Sequence, residues 1–159
     1  MTERRLRIGI AVLAALGAGI AAYLTVVKLT GGSPVCSTGG CETVQNSRYS
    51  ELLGVPVAVF GLVGYLVILA TAFSRGELAR TIGAVAGVAG AAFAAYLLYL
   101  QLGPIDAVCQ WCVASDVVMA LLAPLTVIRA IREPRPVRPA AQRGAARGGR
   151  ARRPAARAR

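Results

Sequence analysis

Residues 108–128 read V-C-Q-W-C-V-A-S-D-V-V-M-A-L-L-A-P-L-T-V-I. A single charge, Asp116, interrupts an apolar run that is long enough, at ~1.5 Å per residue, to cross a ~30 Å hydrocarbon core as a helix. At its head stands a C-x-x-C formed by Cys109 and Cys112. A helix starting there directs its unpaired N–H groups and the positive end of its dipole at the thiols. That favours the thiolate, which is the nucleophilic form. The first expectation is therefore a reactive dithiol at the boundary of a membrane-spanning helix.

Three further apolar runs lie upstream. Residues 8–27 carry no charge for 20 residues, residues 55–74 do the same, and residues 81–102 run for 22. Such runs are membrane spans, because a soluble core does not need them. In lipid they must be helices, since no solvent is there to satisfy an open backbone. The 159 residues, 56% of them hydrophobic, suit one domain. The predicted fold is all-α: an integral membrane, antiparallel four-helix bundle, with spans at about 8–29, 55–74, 81–102 and 108–129 and an outer loop over 30–54. Gly83, Gly87, Ala91 and Ala94 recur at helical spacing in the third span and would let helices approach closely.

Charge sets the expected orientation. The net charge is +11, but eleven of the 18 basic residues lie between Arg129 and Arg159. Arg4, Arg5 and Arg7 precede the first span, Arg75 and Arg80 sit between the second and third, and the arginine tail follows the fourth. An even number of crossings separates these regions, so the positive-inside rule puts all of them in the cytoplasm. The first seven residues form a short cytoplasmic N-terminus on this reading. A cleaved signal peptide is the alternative, but the apolar run is long for one, and Lys28 follows where small residues are expected. The tail from residue 131 to 159 is Arg, Ala, Pro and Gly without periodicity. It reads as disordered and able to touch anionic lipid. No aromatic platform accompanies its arginines, so nucleic acid is not an expected partner.

The same topology places Cys36 and Cys41, within C-S-T-G-G-C, on the outer side together with Cys109 and Cys112. That compartment permits disulfides. The loop pair lies among Gly, Ser and Thr, which predicts a mobile, accessible exchange site. Two readings remain beside exchange. A non-enzymatic membrane scaffold could be stapled by two structural disulfides. A zinc site is the other, disfavoured by C-x4-C spacing, two intervening spans and the absence of histidine. If the pairs do exchange, electrons from a soluble dithiol would enter at the loop and pass to the boundary pair. An acceptor reaching that boundary from lipid would then take them, and a quinone has those properties.

C-S-T-G-G-C-E-T-V-Q-N-S, G-V-P-V-A-V-F-G-L-V-G-Y and the later C-Q-W-C together resemble the bacterial branch of the vitamin K epoxide reductase family, over residues 8–130. No fused thioredoxin-like domain is recognised, so the resemblance implies a separate extracytoplasmic thioredoxin-fold thiol oxidase as partner. It also implies a multi-pass protein of the cell's inner (plasma) membrane and an acceptor of the menaquinone or ubiquinone type, with no metal. Cys36 would receive electrons through a mixed disulfide. Cys41 would exchange with Cys109. Cys112 would face the quinone and form the charge-transfer or covalent intermediate. Ser47, six residues after Cys41, matches a serine or threonine near the quinone head group, where it would hydrogen-bond. A local turn contact is the alternative for it. Residues 43–53 would form a short capping helix over the pocket, ended by Gly54, with Pro56 opening the second span.

Two positions depart from the animal members of that family. Val57 and Asp116 stand where those enzymes carry an asparagine and a tyrosine, so their quinone contacts do not transfer, and epoxide reduction is not expected. Asp116 shares a helix face with Cys112, four residues earlier, and an ionisable group inside a span is a functional candidate. It could supply a proton to the reduced quinone or orient a polar group near it; a carboxylate about one turn inside the span that reaches the headgroups or a water is the alternative. Tyr96, Tyr99 and Trp111 read as interfacial aromatics, and Gln101 as a lesser pocket candidate.

Overall fold

The structure, a computed structural model, describes residues 3–37 and 39–132. Apart from residues 131 and 132, the predicted disordered tail lies outside them. The described chain is mostly helical. In order it forms α1 (Glu3–Leu29), α2 (Cys41–Asn46), β1 (Glu51–Leu52), β2 (Val55–Pro56), α3 (Val57–Phe73), α4 (Glu77–Leu102) and α5 (Gln110–Ile131). By length and composition, α1, α4 and α5 can each cross a membrane, while α3 is an apolar helix of 17 residues. At ~1.5 Å per residue α3 is about 26 Å long, a little less than the hydrocarbon thickness.

The helices overrun the charge-free stretches that announced them. α1 begins at Glu3, so Arg4, Arg5 and Arg7 are helical rather than a separate leader, and α4 begins at Glu77 rather than near residue 81. Each starts with an acidic residue in its first turn, which complements the positive end of the dipole. Charge marks where a helix leaves an apolar environment and does not by itself end the helix.

α1 packs on α3 and α5, and α4 packs on α5 and α3. The core they enclose is built on Leu6 and Ile10 of α1, Tyr65 and Ile68 of α3, and Leu122 of α5. Small residues set the spacing. A Cβ on Gly17 would fall within the Tyr65 ring, so α1 and α3 can be this close only with glycine there. Gly83 and Gly87 of α4 meet Thr71 and Thr126 in the same way, as their helical spacing predicted. The Tyr65 hydroxyl satisfies itself on α5, donating to the Ser115 carbonyl at 2.7 Å.

The end of α3 away from β2 is closed by arginine. Carbonyls in the last turn of a helix have no partner within it. Here Arg129 donates to the Thr71 and Ser74 carbonyls, both at 2.7 Å, and Arg7 donates to those of Ala72 and Phe73 at 2.7 and 2.8 Å. Arg129, only 2% exposed, also lies 3.6 Å from a carboxylate oxygen of Glu3, which in turn meets Arg80 at 3.7 Å. Two guanidiniums thus complete the shortest of the long helices and tie it to α1 and α5.

At the other end, the predicted single helix over 43–53 is corrected. α2 stops at Asn46 because Ser47 turns extended and its hydroxyl takes the Val44 carbonyl at 2.8 Å. A hairpin follows, pairing Glu51 with Pro56 and Leu52 with Val55. Its turn residues, Leu53 and Gly54, both have positive φ, 54° and 80°, as a two-residue hairpin turn requires. Gly54 is therefore a turn residue and not a helix stop. Lys28, at the end of α1, holds this roof by donating to the Gln45 carbonyl at 2.6 Å and the Ser50 hydroxyl at 3.2 Å, with Glu51 at 3.4 Å.

Replacing Arg129 by Met strips charge-assisted hydrogen bonds from the Thr71 and Ser74 carbonyls. The expected cost is about 3 kcal/mol, taking ~1.5 kcal/mol for each. It should appear as a lowered Tm in detergent micelles, with Arg129→Lys falling between.

Candidate active site

The α4–α5 connection sets the position of the helix-start pair. Gln101, 2% exposed near the end of α4, accepts the Cys109 N–H on its Oε1 at 2.9 Å, and its carbonyl accepts the Ala107 N–H at 3.1 Å. The side chain and backbone of one buried residue therefore fix the turn that delivers Cys109. Cys109 is the N-cap of α5, and its sulfur accepts the Cys112 N–H at 3.3 Å. The thiol occupies the place where a serine or aspartate ordinarily caps a helix.

The loop pair is closed, with Cys36 disulfide-bonded to Cys41, while Cys109 and Cys112 are free thiols. Cys41 and Cys109 are both fully buried. Between them the backbone makes an unusually close approach. A Cβ on Gly40 would lie 2.8 Å from the Val108 nitrogen and closer still to its carbonyl oxygen. Only glycine fits there, and the residues that follow Gly40 and Val108 are Cys41 and Cys109. The structure thus brings the two pairs together at one backbone crossing.

The loop whose composition suggested mobility makes specific contacts with the helix-start pair. Val35 and Ser37, on either side of Cys36, are hydrogen-bonded to Gln110 and Trp111 of the C-Q-W-C. Val35 N–H donates to the Tyr23 hydroxyl at 3.0 Å, and the Tyr23 ring packs at 5.2 Å on Trp111. Glycine, serine and threonine suggested mobility because the partners for their backbone lie more than 70 residues away in sequence.

Below the roof lies a cavity of about 180 Å³. Cys112, Asp116 and Tyr65 line it together with Ser47 and Gln101, and Phe60 and Phe93 contribute to its apolar wall. Ser47 is half-buried there and makes the local bond to the Val44 carbonyl. One oxygen of Asp116, Oδ2, is buried without a hydrogen-bond partner among the described residues. Val57 reaches the cavity too, so both departures from the animal pattern face the same space. Cys36 and Cys41 do not line it. Tyr96 and Tyr99 are exposed as interfacial aromatics would be, whereas Trp111 is half-buried on the loop. Among the described residues no three His, Cys, Asp or Glu side chains gather where they could hold a metal ion.

A helical membrane scaffold with one dithiol on a cavity and a disulfide beside it defines a class, the membrane thiol oxidoreductases. The chain belongs to the vitamin K epoxide reductase family, whose pattern matches residues 8–127. Members of that family are linked to quinones. The chain is also similar to the thiol-disulfide oxidoreductase LTO1 of Arabidopsis thaliana, with 45% identity over 58 residues. That stretch spans 35% of this chain and 15% of the plant protein.

With Cys36 and Cys112 both replaced by Ala, Cys41 and Cys109 remain. They are expected to oxidise to a single cross-link, visible as a mass loss and as resistance to thiol alkylation. Adding Gly40→Val, which drives a side chain into the Val108 backbone, should slow that oxidation on the order of 100-fold, the effect of a misplacement near 1 Å.

Proposed function

We propose that the chain carries electrons from an extracytoplasmic dithiol to a membrane quinone and so supports disulfide formation in secreted proteins. The observation that carries this reading is the crossing of Gly40 on Val108, which sets a disulfide beside a dithiol that opens on a cavity. α3 completes a four-span bundle with α1, α4 and α5. Both termini face the cytoplasm and the cysteines face outward, in line with the arginine distribution.

The steps balance as ordinary thiol–disulfide exchange. A thiolate of a separate thioredoxin-fold partner attacks half-buried Cys36 and expels Cys41. The partner's second thiol then resolves the mixed disulfide and leaves Cys36 and Cys41 reduced. Cys41 attacks Cys109 of an oxidised Cys109–Cys112 pair, and Cys112 leaves as the thiolate. Cys36 then attacks Cys41 and releases Cys109. The two electrons now rest on Cys109 and Cys112, which is the distribution of thiols and disulfide in the structure. Return of Cys109 and Cys112 to a disulfide gives two electrons and two protons to a quinone of the menaquinone or ubiquinone type in the cavity. Ser47 and Asp116 line that cavity, the first suited to hydrogen-bonding the head group and the second to supplying a proton.

The rival is a scaffold with static disulfides. Its two pairs would have no need to meet, nor would Cys112 need to line a cavity.

Cys36→Ala and Cys112→Ala should each reduce quinone-dependent oxidation of a reduced thioredoxin to background, with the protein still present in the membrane. Full activity in either variant would favour the scaffold. Asp116→Asn should slow quinone reduction and alter its pH profile. A profile identical to wild type would remove the proton role. Ser47→Ala should cost about fivefold in rate, equivalent to one hydrogen bond of ~1 kcal/mol.

A further inference from the structure

The two residues inside C-Q-W-C have no place in the relay above, and neither lines the cavity. Both reach the disulfide loop instead. Trp111 Nε1 donates to the Val35 carbonyl at 2.7 Å, and Gln110 Nε2 donates to the same carbonyl at 3.4 Å. Gln110 Oε1 accepts the Ser37 N–H at 3.1 Å. One carboxamide therefore bridges a carbonyl before Cys36 and an N–H after it. Asn and Gln are the residues whose uncharged side chain offers a planar donor and acceptor together, and of the two Gln has the longer reach. Val35 itself is 77% exposed, between buried Pro34 and half-buried Cys36, and its N–H is held by the Tyr23 hydroxyl.

We propose that Gln110 is a positioning residue for exchange between the two cysteine pairs, its carboxamide holding the Cys36 loop in register with Cys109 from within the C-x-x-C itself. The proposal rests on the relay reading and adds to it a mechanical link. Whatever orients the helix-start pair then orients the loop pair as well. In the internal transfer Cys41 forms a bond to Cys109 and breaks the bond between Cys109 and Cys112. Cys36 next bonds to Cys41 and frees Cys109, so two electrons move and no external oxidant is needed. Both displacements require sulfurs aligned within bonding reach, and rates fall steeply when reacting groups wander. Gln110 spares the loop that search, and the Trp111 indole seated on Tyr23 supplies a second fixed point.

The test is a single turnover of the full chain in nanodiscs, with both pairs oxidised, no quinone present, and reduced thioredoxin as the probe. Samples are quenched in acid and labelled, and thiols are located by peptide mass. In wild type, thiols should pass from Cys36/Cys41 to Cys109/Cys112. In Gln110→Ala they should linger at Cys36/Cys41, with the internal step slowed on the order of 10- to 100-fold. Gln110→Glu keeps the acceptor for Ser37 and loses the donor to Val35, so it should fall between. An unchanged internal rate in Gln110→Ala overturns the proposal. So does an equal slowing of thioredoxin's own attack on the loop, which would mark general damage. A wild-type chain that accepts electrons at Cys36/Cys41 and never passes them on overturns the relay. That outcome is distinct from a relay running equally well without Gln110.

Discussion

Lipid offers no partner to a backbone N–H or carbonyl, and every helix end in this protein must find one elsewhere. Most of the polar side chains that matter here answer that constraint. Arg7 and Arg129 take the final carbonyls of α3, Lys28 takes the last turn of α2, and Gln101 takes the N–H of Cys109. Cys109 itself caps α5. A thiol used as a helix cap serves two ends at once. It satisfies an N–H that would otherwise be orphaned, and the same N–H favours the thiolate that exchange chemistry uses. The first turn of α5 is in this sense both a structural terminus and the centre of the site.

Everything nearby is arranged about that turn. Gln101 approaches from α4, and Gly40 crosses Val108 immediately before it. Gln110 and Trp111 reach back to the segment around Cys36, while Cys112 and Asp116 look into the cavity one turn apart. The end of α4 and the 35–40 loop thus meet at the first turn of α5. Rigidity at such a point favours exchange over diffusion of the loop, since a held sulfur reacts at a high effective concentration. Of the disulfide pair, Cys41 is fully buried and Cys36 is half-buried.

Much of this could be read from the sequence where the signal is local. Apolar runs located α1, α4 and α5, glycine spacing located the close faces of α4, and C-x-x-C at the start of a run located the helix-start pair. Tertiary partners could not be read in the same way. Nothing near Gly40 says that Val108 will lie against it, and nothing in C-Q-W-C says that Gln110 binds residues 35 and 37. The loop read as mobile because its partners are distant in sequence. The helix over 43–53 was an implication of the family resemblance, and Asn46-Ser47 and Leu53-Gly54, which are turn chemistry, stood against it. Arginine was not legible as a cap, since Arg129 and the carbonyl of Thr71 are 58 residues apart.

The buried polar atoms then separate the structural part of the molecule from the rest. Among the described residues three buried side-chain atoms lack a hydrogen-bond partner: Nε of Arg80, Nε of Arg129 and Oδ2 of Asp116. Both arginines sit within 4 Å of the Glu3 carboxylate, so their charge is answered even where one N–H is not bonded. Asp116 has no such compensation. Its free oxygen lies in the lining of an apolar cavity that also holds Cys112 and Ser47. A buried polar group left unpaired costs free energy, and an apolar residue at this position would avoid that cost. Retaining a carboxyl there is understandable if a ligand completes it. A ring bearing carbonyls at opposite ends would meet Asp116 with one polar group while its apolar face rests on Phe60 and Phe93. If the quinone of the proposed reaction occupies the cavity, a protonated Asp116 would donate to its carbonyl, and the unpaired oxygen would then have its partner.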